Sequence, residues 1–453
     1  MGGVDGSRHV GLTEWGALHR QSVSNSIAGI ILHCREPPLR AIVCLLRRSK
    51  QRYYSITDGW CGKPLQRQIG MDRFEIDRRA FMRRLAAAIA GTAECSSGVT
   101  LADPISTAPA PTGNRLTTPP ATNDGMVVSA RARGLAFGCG INGPGLLDSA
   151  LLAAHVRESG MCVPIGQGAW GQTHPGPATW DFAVMDRMWG WAQSAGLPMR
   201  GTHLVWHSNM PAWFASNVTP ENATQYMRDH IFAFVGRYKG QLHSWNPVNE
   251  AVLPADGRRD GLRDTPWMKL LGPQYIAHAF TFAAQADPSA TLVYNEFGIE
   301  EDSAAADRKR QSTLLLLRNL KQQGVPIHAL GMQSHIASNS VINAIKLTAF
   351  MNAVAALGLK IFITELDVKD QALPSDVATR DAGVAAQYHS FLTTVLTHPA
   401  VNTVIVWGLS DRLTWLSEQA PRKDGLPVRV LPLDDQLRRK PAWTAVVNAL
   451  SGR

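Results

Sequence analysis

The 453-residue sequence has six cysteines and no two of them in a C-x-x-C pair, which argues against a zinc site. It has no phosphate loop, and no apolar run approaches the roughly 18 residues that a membrane-spanning helix needs. Charged residues are sparse at 18%, while 45% are hydrophobic, the balance of a globular chain and not of a disordered polyampholyte. The charge is also unevenly spread. Residues 1–93 hold 15 Lys+Arg against 7 Asp+Glu, and residues 94–453 hold 30 against 29. The formal net charge of +9 therefore sits almost wholly in the first fifth of the chain, and a basic groove for nucleic acid is not expected in the main body.

That first fifth reads differently from the rest. Residues 1–70 show no sustained period and are expected to be disordered, or an upstream extension mis-assigned ahead of a true start at Met71. Residues 71–93 carry Arg78-Arg79, then Ala80-Phe81-Met82, Arg83-Arg84 and the apolar, small-residue run Leu85 to Ala93. A basic stretch followed by a short apolar one is the layout of an export signal, and the paired arginines give it the twin-arginine form. Export to the periplasm or the medium is the expectation. Residues 94–132 read as a linker, with five prolines among Thr, Ala and Ser between 100 and 121. No stable membrane insertion is expected once the signal is removed.

From residue 133 to 453 the texture becomes regular. Short β-rich runs (Leu135–Ile141, Met161–Ile165, Met199–His207, Leu242–Val248, Thr291–Phe297, Ala329–His335, Lys360–Leu366, Asn402–Leu409) alternate with helical patterns. Eight such units in about 315 residues predict an α/β fold, a (β/α)8 TIM barrel forming a single catalytic domain. Cys139 and Cys162 fall on adjacent strands, either as a disulfide or as two buried thiols. Gly138-Cys-Gly140-Ile-Asn-Gly143 matches a dinucleotide fingerprint, but Pro144-Gly145 follows at once and breaks the helix that would hold a pyrophosphate. A turn after the first strand is the better reading, and no cofactor is expected.

In a barrel the chemistry lies at the C-terminal ends of the strands. Those ends read Trp206-His207, Asn249-Glu250, Asn295-Glu296, Gln333-Ser-His335, Glu365-Leu-Asp367 and Trp407 with Asp411 beyond. Polar residues at the ends of six apolar strands are costly to bury unless they share a cleft. Carboxylates beside indoles and amides suit a sugar polymer, with rings stacking on pyranose faces and two carboxylates dividing acid/base and nucleophile work. A metal site is the rival, since His207, His335, Glu250 and Glu365 are all ligand types; the His-x-His expected after strand one of a metal-dependent barrel hydrolase is missing. No metal is predicted.

Five ordered segments carry a family resemblance: Arg200-Gly-Thr-His-Leu-Val-Trp-His207, Trp245-Asn-Pro-Val-Asn249-Glu250, Gly331-Met-Gln333-Ser-His335, Thr364-Glu365-Leu-Asp367 and Trp407-Gly-Leu-Ser-Asp411. Together they resemble glycoside hydrolase family 10, made up mainly of endo-β-1,4-xylanases on a (β/α)8 barrel. The resemblance implies a retaining endo-β-1,4-xylanase with Glu250 as acid/base and Glu365 as nucleophile. It implies His335 bonded to Glu365 and oriented by Asp367, Asn249 on the sugar 2-hydroxyl, and Trp206, His207, Gln333, Trp407 and Trp415 lining the subsites. The partner is then a polysaccharide, xylan or a related β-glycan, and the enzyme a monomer.

The departures from that family are specific. Its usual Glu-Asn-x-x-Lys-Trp after strand two is Ile165-Gly166-Gln167-Gly168-Ala169-Trp170 here, so only the tryptophan remains of the glycone clamp. Thr202-His203 reverses the usual order and sends the imidazole to the other strand face. Asn246 replaces an aspartate, and Asn295-Glu296-Phe297 replaces Asn-Asp-Tyr. Each hydrogen bond lost from a charged group is worth about 1.5–3 kcal/mol. Two further readings therefore stay open: a weakly active or non-catalytic carbohydrate-binding barrel, and a hydrolase of another β-glycan.

Overall fold

The computed structural model describes residues 124–453, together with the backbone of three strands nearer the N-terminus, Ala28–Ile30, Ala41–Arg48 and Gln51–Asp58. Those three pair antiparallel within a unit that spans Met1–Thr100, inside the stretch expected to lack structure. The second and third strands pair in the register that runs from Ala41 with Asp58 to Arg48 with Gln51. The twin-arginine segment and the proline-rich part of the linker lie outside the described residues.

The second unit is the barrel. Its strands are β1 Ala136–Ile141, β2 Cys162–Pro164, β3 Arg200–Gly201, β4 Ser244–Asn249, β5 Thr291–Glu296, β6 Ala329–Met332, β7 Lys360–Lys369 and β8 Val401–Val406. All pair in parallel, in the order 2-1-8-7-6-5-4-3. The remaining seam is closed by a parallel bridge between Cys162 and Met199, with Cys162 N–H donating to Pro198 O at 2.8 Å. The parallel eight-stranded barrel predicted from the alternation is thus the fold. Strand interiors are buried along both faces, as in the pattern of β4, because side chains fill the barrel and helices cover it.

The helices start where the sequence offers caps. Asp148, Ser303, Asn343 and Asp376 each accept a backbone N–H of the first turn of the helix that follows. Helix Gln274–Ala286 buries Tyr275, Ile276, Ala279, Phe280 and Ala283, the one-sided spacing of a helix laid on a sheet. Each such large apolar side chain contributes about 1.5–3 kcal/mol on burial. Helix Met126–Ala132 lies inside the predicted linker, and it buries Met126, Val127 and Ala130. The barrel domain therefore begins some seven residues earlier than the composition suggests.

Two strands differ from expectation in a way that shapes the site. Met199–His207 reads as one strand, but the ladder holds only Arg200–Gly201 and resumes as a single bridge between Val205 and Val248. Pro247 stands in the neighbouring β4 with no N–H to give, and the β4–β5 register shifts between Trp245 and Val248. The Thr202–His203 peptide in this interval is cis. Gly201 is required beside Trp245: a Cβ there would stand 2.2 Å from the indole Cε3 of a fully buried side chain. Cys139 and Cys162 face each other across β1 and β2 as two buried free thiols.

Candidate active site

Strand ends deliver most of the polar side chains predicted for them; Glu296 and Asp411 instead pair with Lys309 and Lys440, at nitrogen–oxygen distances of 2.8 and 2.7 Å. Glu365 and Asp367 sit on β7 on either side of Leu366, and the period of two points both carboxylates to one face. His335 opens a short strand, His335–Ala337, that pairs with the end of β7 in the register His335 to Asp367. Its Nε2 lies 3.1 Å from Glu365 Oε2 and its Nδ1 3.0 Å from Asp367 Oδ1. The second contact is short but poorly aligned for a hydrogen bond, so charge attraction carries it. Burial alone would depress the imidazole; Asp367 and Glu365 overturn that and push it up to about 10. Burial likewise pushes the Glu365 carboxyl up, and the His335 bond and charge, aided by His203 and Asn295, hold it below the usual range instead. An ionised carboxylate beside an imidazolium is the resulting state near neutrality.

The other carboxylate belongs to Glu250, immediately after β4. Its Oε1 accepts from Asn249 Nδ2 at 3.1 Å and from Gln333 Nε2 at 3.1 Å. Its Oε2 faces His207 Nε2 at 3.9 Å and Arg263 Nη2 at 4.0 Å. Burial, with the Arg263 charge adding to it, pushes the His207 imidazole down to about 4, so His207 is neutral. Asn295 bridges the two carboxylates. Its Nδ2 donates to Asn249 Oδ1 at 2.8 Å and to Glu365 Oε1 at 2.7 Å, and Thr364 Oγ1 donates to its Oδ1 at 2.6 Å. Glu250 and Glu365 thus share one cleft through a continuous chain of amides.

Indoles wall the cleft. Trp415 Nε1 donates to Asp367 Oδ2 at 2.8 Å, and its ring lies 4.9 Å from that of His335. Trp407 stands edge-on to His335 at 6.4 Å. Trp206 lies 5.3 Å from His203 and 5.9 Å from His207. The Trp206 Nε1, the His207 Nδ1 and the Gln167 Oε1 are buried atoms with no hydrogen-bond partner among the described residues. No three His, Cys, Asp or Glu side chains among the described residues converge as metal ligands.

Residues 126–449 match the family model for glycosyl hydrolase family 10. The chain belongs to that family. Within family 10 it is 32% identical over 299 residues to endo-1,4-beta-xylanase 5 of Pyricularia oryzae, covering 66% of this chain and 70% of that one. It is 31% identical over 261 residues to endo-1,4-beta-xylanase B of Thermotoga neapolitana, covering 57% and 72%. A crystal structure of xylanase 10B from Thermotoga petrophila with xylobiose matches with a TM-score of 0.66 at 27% identity, over 73% of this chain and 98% of that one.

The family 10 barrel brings Glu250, Glu365, His335, Asp367, Asn249, Gln333, His207, Trp206, Trp407 and Trp415 to one end. Three contributors were not singled out as site residues in the sequence. Asn295 was legible as a strand-five end. Arg263 arrives from a polar loop and carries no local signal. His203 lies on the face opposite Thr202, whose Oγ1 donates to Pro164 O at 2.8 Å. The His203 imidazole turns inward, its Nδ1 3.1 Å from Asn246 Nδ2, and burial pushes it down to about 4.

Proposed function

We propose that this family 10 chain is a retaining endo-β-1,4-xylanase in which Glu365 attacks the anomeric carbon and Glu250 serves as acid/base. The observation that carries the reading is His335 held between Glu365 and Asp367, an arrangement that keeps one carboxylate ionised for attack. In the first step Glu365 forms a bond to C1 as the glycosidic bond breaks and Glu250 gives its proton to the departing oxygen. In the second, water attacks C1, returns a proton to Glu250 and frees Glu365, with net retention. Trp407 and Trp415 offer faces for sugar rings beside His335. The relatives named as xylanases support xylan as the polymer.

A substrate panel tests the reading. Release of reducing ends from xylan, absent or much weaker from mannan and cellulose, is the expected result, and Glu365→Ala abolishes it. One observation favours a second reading. The segment after β2 presents Gly166, Gln167, Gly168 and Ala169, with no charged side chain to grip a distal sugar. Release only from another β-glycan, or binding without release that survives Glu365→Ala, would favour that alternative. We also infer export by the twin-arginine route, supported by Arg78-Arg79 and the apolar run that follows. N-terminal sequencing of the expressed protein tests it; a mature chain retaining residues 1–93 would contradict it.

A further inference from the structure

Glu250 adopts a left-handed backbone, φ +58°, although it carries a side chain. Such a conformation is strained for a residue with a side chain and persists only where its surroundings fix it. Here the chain is held on both sides. The Glu250 N–H donates to Asn295 O at 2.9 Å, and the Glu250 carbonyl accepts from Arg263 Nε at 2.8 Å. The next two N–H groups are caught as well, Ala251 by Tyr294 Oη at 3.1 Å and Val252 by Glu296 Oε2 at 3.0 Å.

Arg263 is brought back to Glu250 by a loop whose ends, Val252 and Leu262, pair as an antiparallel bridge. Its own N–H donates to Ala251 O at 2.7 Å, which fixes the root of the side chain. Beyond Nε, the Nη2 atom stands 4.0 Å from Glu250 Oε2 and has no hydrogen-bond partner among the described residues. The guanidinium lies over the Phe297 ring at 5.7 Å. Lys309, over the same ring at 3.5 Å, already faces Glu296 at 2.8 Å. The other groups against the Glu250 carboxyl are uncharged: Asn249 from β4, Gln333 from the end of β6, and the neutral His207 from the segment after β3.

We propose that Arg263 is a positioning residue for Glu250: it fixes the left-handed turn that aims the carboxyl, and its Nη2 receives the carboxylate once the proton has passed to the leaving oxygen. This rests on the reading of Glu250 as acid/base. The contact strengthens as the proton departs, so it favours the transition state over the resting enzyme.

The test compares two leaving groups in the full-length enzyme. A xylo-oligosaccharide expels a sugar alkoxide that needs the proton; 2,4-dinitrophenyl β-xylobioside expels a phenolate that does not. Glu250→Ala provides the pattern of a lost acid. Arg263→Met is expected to lower kcat/KM on the oligosaccharide by about 10- to 100-fold and on the aryl glycoside by less than about 3-fold. Arg263→Lys keeps the charge but not the fork that reaches both the Glu250 carbonyl and its carboxylate, so the rate on the oligosaccharide is only partly restored. Equal losses on both substrates, or no partial recovery in Arg263→Lys, would overturn the proposal and leave Arg263 a structural residue. If Arg263→Met fails to fold, the same ratio measured on Arg263→Lys decides. If Glu250→Ala itself shows no leaving-group discrimination, the acid/base reading falls and the proposal with it.

Discussion

The Nε2 of His335 and the Oε2 of Glu365 are 3.1 Å apart, and the charge on the first maintains the charge on the second. Two elements meet at this contact: the segment after β6 and strand β7, joined in register at Asp367. Asp367 in turn stabilises the imidazolium and accepts from Trp415, so a wall of the cleft and the Glu365 carboxylate depend on one buried acid.

His335→Ala removes the cation that opposes burial at Glu365. The carboxyl then titrates higher, and because attack requires the ionised form, activity is lost from the acid side. The acidic limb of kcat/KM is expected to move up by about one pH unit or more, with a rate loss on the order of 100-fold at neutral pH. A pH profile of the variant checks this; an unmoved acidic limb contradicts it.

Arg200 is 1% exposed and donates to Asn246 and to Ser244 Oγ (3.3 Å), and among the described residues it has no carboxylate partner in an ion pair. Burial pushes its guanidinium down to about 10, with Glu365 opposing that shift. Asn246→Asp supplies the missing counter-charge in place. Denaturant unfolding is expected to show a gain of about 1–3 kcal/mol. The added negative charge also raises the acidic limb of the activity profile, since Glu365 loses part of the field that Arg200 provides.

His230 is fully buried in an aromatic cluster, 4.1 Å from Trp170 and stacked at 5.5 Å on His174, with neither ring nitrogen bonded among the described residues. Burial holds it well below the usual histidine range, and burial pushes His155 and His203 down to about 4. The unfolded chain takes up protons near pH 6.5 that these sites refuse, so stability present above 6.5 is lost as pH falls toward 4. The melting temperature is expected to drop through that window, and His230→Leu to flatten the drop while costing little at pH 7. An unchanged pH slope in His230→Leu would contradict the assignment.

The barrel was legible because parallel strands buried on both faces leave apolar runs, and each run ends in a polar residue wherever a cleft opens. Glu365 and Asp367 could be read together from their spacing on β7. β3 could not be read correctly, since its pairing depends on Pro247 in another strand and on where the Thr202 hydroxyl bonds. Helix Met126–Ala132 was hidden by the proline-rich stretch before it. Arg263 was invisible for a different reason: its distance to Glu250 is set by the closing of the Val252–Leu262 loop, which no periodicity announces.

The most direct measurement of the central claim is to trap the covalent intermediate. A 2-deoxy-2-fluoro β-xylobioside with an activated leaving group slows the second step more than the first, and the labelled protein can be digested and mapped by mass spectrometry. The expected result is one label per chain, on Glu365, forming with loss of activity and absent from Glu365→Ala. A label on another residue, or full turnover of xylan by Glu365→Ala, would contradict the two-carboxylate assignment.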